Sequence, residues 1–129
     1  MAAGSVTRVL LTATSYPRSE QDWQSIFIRR MCDALAGTTA VDLRVWAPQG
    51  PLSPHASSAL NEGDRRFLAK LADAGGAAHL LRTAPLRGTL SAVELLSRLR
   101  LAMRRERSRT DVLHINWLQC ALAAGGMRL

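Results

Sequence analysis

Four short apolar runs, each followed by a loop and, for most of them, by an amphipathic stretch, constrain this chain more than any other feature of its sequence. The first, Val6 to Ala13, is β-branched and lacks a helical period, as in a strand covered on both faces of a parallel sheet. A polar loop follows from Thr14 to Asp22, in which Pro17 biases Tyr16 toward an extended conformation. From Trp23 to Ala36 the apolar positions Trp23, Phe27, Ile28, Met31, Ala34 and Leu35 form a helical stripe, and Gly37 is placed to close it in a left-handed cap. Val41 to Trp46 alternates with period two and reads as the second strand. Pro48 to Ser58 reads as a loop. Leu60, Phe67, Leu68, Leu71 and Ala72 mark a second helix that stops at Gly75 and Gly76. Ala77 to Thr83 reads as a short third strand, and Ser91 with Glu94 as a capping box that starts a further helix through Val93, Leu96, Leu99 and Met103. Asp111 to Ile115 reads as a fourth strand, and Leu118 to Ala124 as a packed, small-residue helix. Strands alternating with helices imply βαβ units with right-handed crossovers. The expected class is α/β, a parallel sheet with helices on both faces.

At 129 residues the chain is long enough for one domain only. Its 47% apolar and 21% charged residues are those of a globular protein rather than a disordered one. No apolar run approaches the roughly 18 residues needed to cross a bilayer, and the start of the chain lacks the basic and apolar regions of a signal peptide, so a cytoplasmic location is expected. Cys32 and Cys120 have no Cys or His neighbour at metal-ligand spacing and read as small buried hydrophobes, with no metal or cofactor indicated.

In an open parallel sheet, ligands sit beyond the carboxyl ends of the strands, which directs attention to the loops after the first and fourth strands. The first of these has neither the acidic pair of a receiver domain, nor a P-loop, nor a dinucleotide-binding glycine fingerprint. It offers the hydroxyls of Thr12, Thr14, Ser15 and Tyr16, the cation Arg18, and a helix start near Trp23 to Ser25 whose N–H groups favour an anion.

Four stretches in order, Thr14-Ser15-Tyr16-Pro17-Arg18, Phe27-Ile28-Arg29, Trp46-Ala47-Pro48 and Asp111-Val112-Leu113-His114 with Trp117, resemble the N-terminal domain of family 4, GT-B-type glycosyltransferases. The likeness runs over residues 8 to 125, nearly the whole chain. It implies a Rossmann-like domain forming the acceptor side of a retaining transferase, in which a UDP- or GDP-sugar donor is bound chiefly by a second domain. It implies a glycan or lipid-linked acceptor and no required metal. Fixed donors at a helix start and basic side chains would neutralise charge on the diphosphate leaving group. Ser15, Tyr16, Arg18, Ser25, His114, Asn116 and Trp117 are the substrate-binding residues that the resemblance singles out. Two departures stand against it. Gln24-Ser25-Ile26 lacks the glycine that family members commonly carry before the Phe, and the sequence stops at Leu129, before the family's His-Gly loop and donor domain. The chain alone is therefore expected to be inactive as a transferase.

Each residue also has a plainer reading. His114 either hydrogen-bonds an acceptor hydroxyl or is satisfied within the sheet end. Trp117 either stacks on a ligand or packs as core, Arg18 either binds an anion or is solvated, and Phe27 is expected in the core. The net charge of +7 rests on 16 Arg and one Lys against ten acids. Arg98, Arg100, Arg104, Arg105, Arg107 and Arg109 concentrate it into one stretch, which either faces solvent or docks on a polyanion. An anionic membrane surface at the inner face of the membrane would suit a lipid-linked acceptor, whereas nucleic acid is disfavoured because no aromatic residues are interleaved for base stacking. The competing function class is a non-catalytic α/β binding module whose Arg-rich helix docks a polyanion or a protein partner.

Overall fold

The structure, a computed structural model, describes residues 4–128. Its elements are β1 (Thr7–Thr12), α1 (Ile26–Ala36), β2 (Val41–Trp46), β3 (Ala56–Ser58), α2 (Glu62–Asp73), α3 (Ala77–Thr83), α4 (Pro85–Glu106), a 3-10 turn (Arg107–Arg109), β4 (Val112–Ile115) and α5 (Leu118–Ala124). The four strands form one parallel sheet in the order β3-β2-β1-β4. The protein is an α/β, Rossmann-like domain with a parallel sheet flanked by helices.

Side-chain alternation along the strands separates two apolar layers. Val9 and Leu11 of β1, with Leu43 and Val45 of β2, pack against Ile28, Cys32 and Ala36 of α1. Leu10 and Trp46 face the opposite way, onto Leu68 of α2, Leu95, Leu99, Ala102 and Met103 of α4, and Cys120 and Ala123 of α5. The chain moves from β1 through α1 to β2 in one direction. It returns from β3 through α2, α3 and α4 to β4 on the other side of β1. That reversal makes β1 and β4 the pair of strands between which the connections diverge, the position at which open α/β sheets bind ligands.

Two buried carboxylates and one exposed ion pair fix this arrangement. Asp64, only 2% exposed, caps α2 through a reciprocal box with Asn61, whose side chain accepts from the Asp64 N–H at 2.7 Å. The same carboxylate accepts the Trp46 indole N–H at 3.1 Å and lies 3.5 Å from both Arg98 and Arg105. Glu106, also buried, takes a bidentate bond from Arg44 of β2 at 2.8 and 2.9 Å. At the start of the sheet Arg8 forks onto exposed Asp111, and the closer of its two bonds measures 2.7 Å.

The structure departs from the sequence reading in five places. Ala77 to Thr83 is a helix rather than a strand, packed on α4 where Gly88 allows close approach: a Cβ there would lie 2.6 Å from the Leu81 Cα. The third strand is instead Ala56–Ser58, inside the stretch read as a loop, held by parallel pairing to Leu43, Arg44 and Val45. Ser91 and Glu94 fall within α4, which begins six residues earlier at Pro85, a residue suited to the first helical position because no N–H is needed there. Gly37 ends α1 in right-handed rather than left-handed geometry, at φ −71°. In α1 the buried stripe is Ile28, Cys32 and Ala36, so Phe27 is half exposed and Trp23 lies outside the helix at 79% exposure.

Candidate functional site

The carboxyl ends of β1 and β4 meet through their backbones. Asn116, the residue after β4, donates both its backbone N–H (3.0 Å) and its side-chain amide (3.2 Å) to the carbonyl of Thr12, the last residue of β1. From Thr12 the chain runs to Ser15, whose hydroxyl hydrogen-bonds the hydroxyl of Ser25 at the start of α1. Two residues on, Phe27 meets Trp117 edge to face, with ring centroids 5.6 Å apart and planes at 77°. The two aromatics are 49% and 43% exposed. A loop, a helix start and a strand end are thus linked into one open ledge that carries two hydroxyls, an amide and two aromatic rings.

The backbone of this ledge is unusual. Among the described residues only two non-glycines have positive φ, and both belong to it: Ser25 at φ 57°, ψ 24°, and Trp117 at φ 73°, ψ 145°. Serine tolerates the left-handed helical region at modest cost. The Trp117 conformation borders the region that is essentially reserved for glycine, and such residues cost on the order of 1–3 kcal/mol each. Left-handed Ser25 also fails to cap α1 with its side chain, which turns to Ser15 instead.

The other residues singled out from the sequence lie differently. Tyr16 is buried and donates its hydroxyl to the Pro51 carbonyl at 2.7 Å, tying the β1 loop to the β2–β3 connection. Burial, aided by nearby Asp33, raises its phenol well above the ordinary range, so it acts as a fixed donor and not as a titrating group. Arg18 reaches away from the ledge: its guanidinium donates to the Ala72 carbonyl at the end of α2, at 3.2 Å, and its N–H is held by Asp22. His114 is half buried and pairs with Leu11 across the sheet; its neighbour Leu113 packs on the α4 layer, so alternation turns the imidazole toward the α1 side. The helix start offers less to an anion than expected, because Ile26 and Ile28 N–H already bond the carbonyls of Trp23 and Ser25. A second cleft, of about 200 Å³, opens beyond β2 and β3 and is lined in part by Gln49, Ser58 and Arg65.

The arginine stretch divides by partner. Arg98 is held by Asp64 and Glu94 and lies 5.3 Å above the Phe67 ring, and Arg105 binds the Ala59 carbonyl at 2.9 Å beside Asp64. Arg109 lies 3.8 Å from Glu106. Arg104 and Arg107 make no side-chain ion pair among the described residues. Sequence reasoning singled out Trp117 but missed its aromatic partner, since the helical stripe assigned Phe27 to the core. A helix beginning at Ile26 and not at Trp23 rotates that assignment. No group of three or more His, Cys, Asp or Glu side chains is arranged to hold a metal among the described residues, and no helix there is long and apolar enough to cross a membrane.

In comparisons with protein-family models, with curated proteins and with solved structures, nothing matches this chain.

Proposed function

We propose that the domain forms the acceptor side of a retaining, GT-B-type glycosyltransferase and that the ledge at the ends of β1 and β4 holds the acceptor sugar. The observation carrying this reading is the convergence of Ser15, Ser25, Asn116, Phe27 and Trp117 at the point where the connections diverge, the place where open α/β sheets bind ligands. An exposed aromatic pair suits the apolar C–H face of a pyranose, while hydroxyls and an amide beside it suit the ring hydroxyls. Strain concentrated on Ser25 and Trp117 fits a surface shaped for a ligand. In this reading Tyr16 and Arg18 position the loop, His114 sits on the α1 face of β4 three residues before Trp117, and a donor nucleotide sugar is held by a facing lobe made of other residues.

The test is intrinsic tryptophan fluorescence during titration with neutral hexoses, disaccharides and alkyl glycosides. A saturable change in emission is expected that disappears in Trp117→Ala but persists in Trp23→Phe, with far-UV circular dichroism unchanged in both. No response to any of these sugars, or a response that survives Trp117→Ala, refutes the assignment.

A further inference from the structure

A further open cleft lies toward the other end of the sheet, and four of its six lining residues are arginines. The last turn of α4, the 3-10 turn and the segment after α5 enclose about 270 Å³ between Arg100, Arg104, Arg107, Gly126, Met127 and Arg128. The 3-10 turn leads directly into β4, and the Arg8 guanidinium at the start of β1 reaches the Ser108 carbonyl, so the cleft lies beside the amino ends of the strands. Trp117 follows the carboxyl end of β4, and the two features are therefore on opposite sides of the domain.

Among the described residues no carboxylate compensates the charge in this cleft. The two acids of α4 are committed elsewhere, Glu94 to Arg98 and Glu106 to Arg44 and Arg109. Arg100 is braced by the Ala123 and Gly125 carbonyls at 2.9 and 2.8 Å, through one of its terminal nitrogens. Its remaining N–H groups and the whole guanidiniums of Arg104, Arg107 and Arg128 have no carboxylate within ion-pair distance among the described residues. The carbonyls ending α4 ease part of this repulsion, but they cannot neutralise four like charges around one space. Planar guanidinium forks match phosphate oxygens bidentately. The volume falls just below the ~300–1,000 Å³ of drug-sized ligand sites, which suits a small anion.

We infer that this cleft is a phosphate-binding site, taking a phosphate or diphosphate group through Arg100, Arg104, Arg107 and Arg128. The group belongs either to a small soluble phosphate compound or to a phospholipid headgroup, and the chemistry of capture is the same for both. The inference stands apart from the sugar-binding reading, because the two sites share no residue and lie at opposite ends of the strands.

Calorimetry with inorganic pyrophosphate and co-sedimentation with phosphatidylcholine vesicles containing phosphatidylglycerol test it together. Arg104→Gln/Arg107→Gln, in which neither side chain has an ion-pair or hydrogen-bond partner among the described residues, should weaken binding at least tenfold. Arg87→Gln, near the far end of α4, should leave it unchanged. Pyrophosphate binding that follows this pattern identifies a soluble phosphate compound; vesicle binding alone that follows it identifies a headgroup. Binding to neither probe, or an equal loss in Arg87→Gln, overturns the inference, the latter because it would report only net charge.

Discussion

Replacing Asp64 with alanine removes one buried carboxylate that serves four neighbours, and the cost can be worked through neighbour by neighbour. The Trp46 indole N–H, fully buried in the α4 layer, would lose its acceptor, and an unsatisfied buried donor costs about 1–3 kcal/mol. The reciprocal cap of α2 would lose its second half, in which the Asn61 N–H donates to the carboxylate at 3.2 Å; a cap is worth about 1 kcal/mol. Arg98 and Arg105 are 30% and 39% exposed and sit at 3.5 Å, so solvent limits each of these pairs to well under ~1 kcal/mol. The sum is about 3 kcal/mol, or about 12 °C in Tm at roughly 4 °C per kcal/mol for a domain of this size. Asp64→Asn keeps an acceptor for the indole and should lose about half as much. Urea unfolding followed by circular dichroism measures both variants. In a Trp46→Phe background, where no indole N–H remains, the Asp64→Ala cost should fall by about 1–2 kcal/mol, the coupling expected of residues in contact. A total loss below about 1 kcal/mol, or equal losses in the two backgrounds, would refute the account of Asp64 as the acceptor that fixes Trp46.

Two further outcomes are expected. At Gly50 an added Cβ would run into the Pro17 carbonyl and lie 2.7 Å from the Tyr16 ring, so Gly50→Ala should destabilise by about 1–3 kcal/mol through overpacking and displace the β1 loop, read as a lower urea midpoint and loss of the sugar-induced fluorescence change. Asp111 is held at about 2 by the Arg8 side-chain and backbone donors; a depressed carboxyl stabilises the fold above its unfolded value near 4 and loses that contribution as pH falls through its folded one. The stability gap between the native protein and Asp111→Asn should therefore be constant above pH 5 and close between pH 4 and 2, and a gap independent of pH would contradict the Arg8 pairing.

The α/β class was legible because β1 and β2 carry strong apolar signals and α1 and α2 strong stripes, features dominated by burial on the two layers. Short segments were not legible. Ala77–Thr83 contains Ala and Leu, which suit a helix as well as a buried strand, and only its position between Gly75-Gly76 and Pro85 favours the helix. Ala56–Ser58 has no apolar signature at all, since backbone pairing to β2 alone makes it a strand. The loops after β1 and β4 could be located from the sheet rule, and Ser15, Ser25, Asn116 and Trp117 do lie together there. Tyr16 and Arg18 could not be separated from them by sequence, because what removes them is a long-range acceptor: the Pro51 carbonyl for one and the Ala72 carbonyl for the other. The arginines show the same limit. Arg105 looks identical to Arg104 and Arg107 along the chain, and only partners distant in sequence, Asp64 and the Ala59 carbonyl, set it apart from them.

If Trp117 holds a sugar as proposed, its backbone sets folding and recognition against each other. Glycine would relax that position, so a campaign selecting only for thermostability would be drawn to the one substitution that erases the ledge's larger ring. Any attempt to harden this domain should therefore leave that residue alone and look for its gains elsewhere, on the solvent side of the helices.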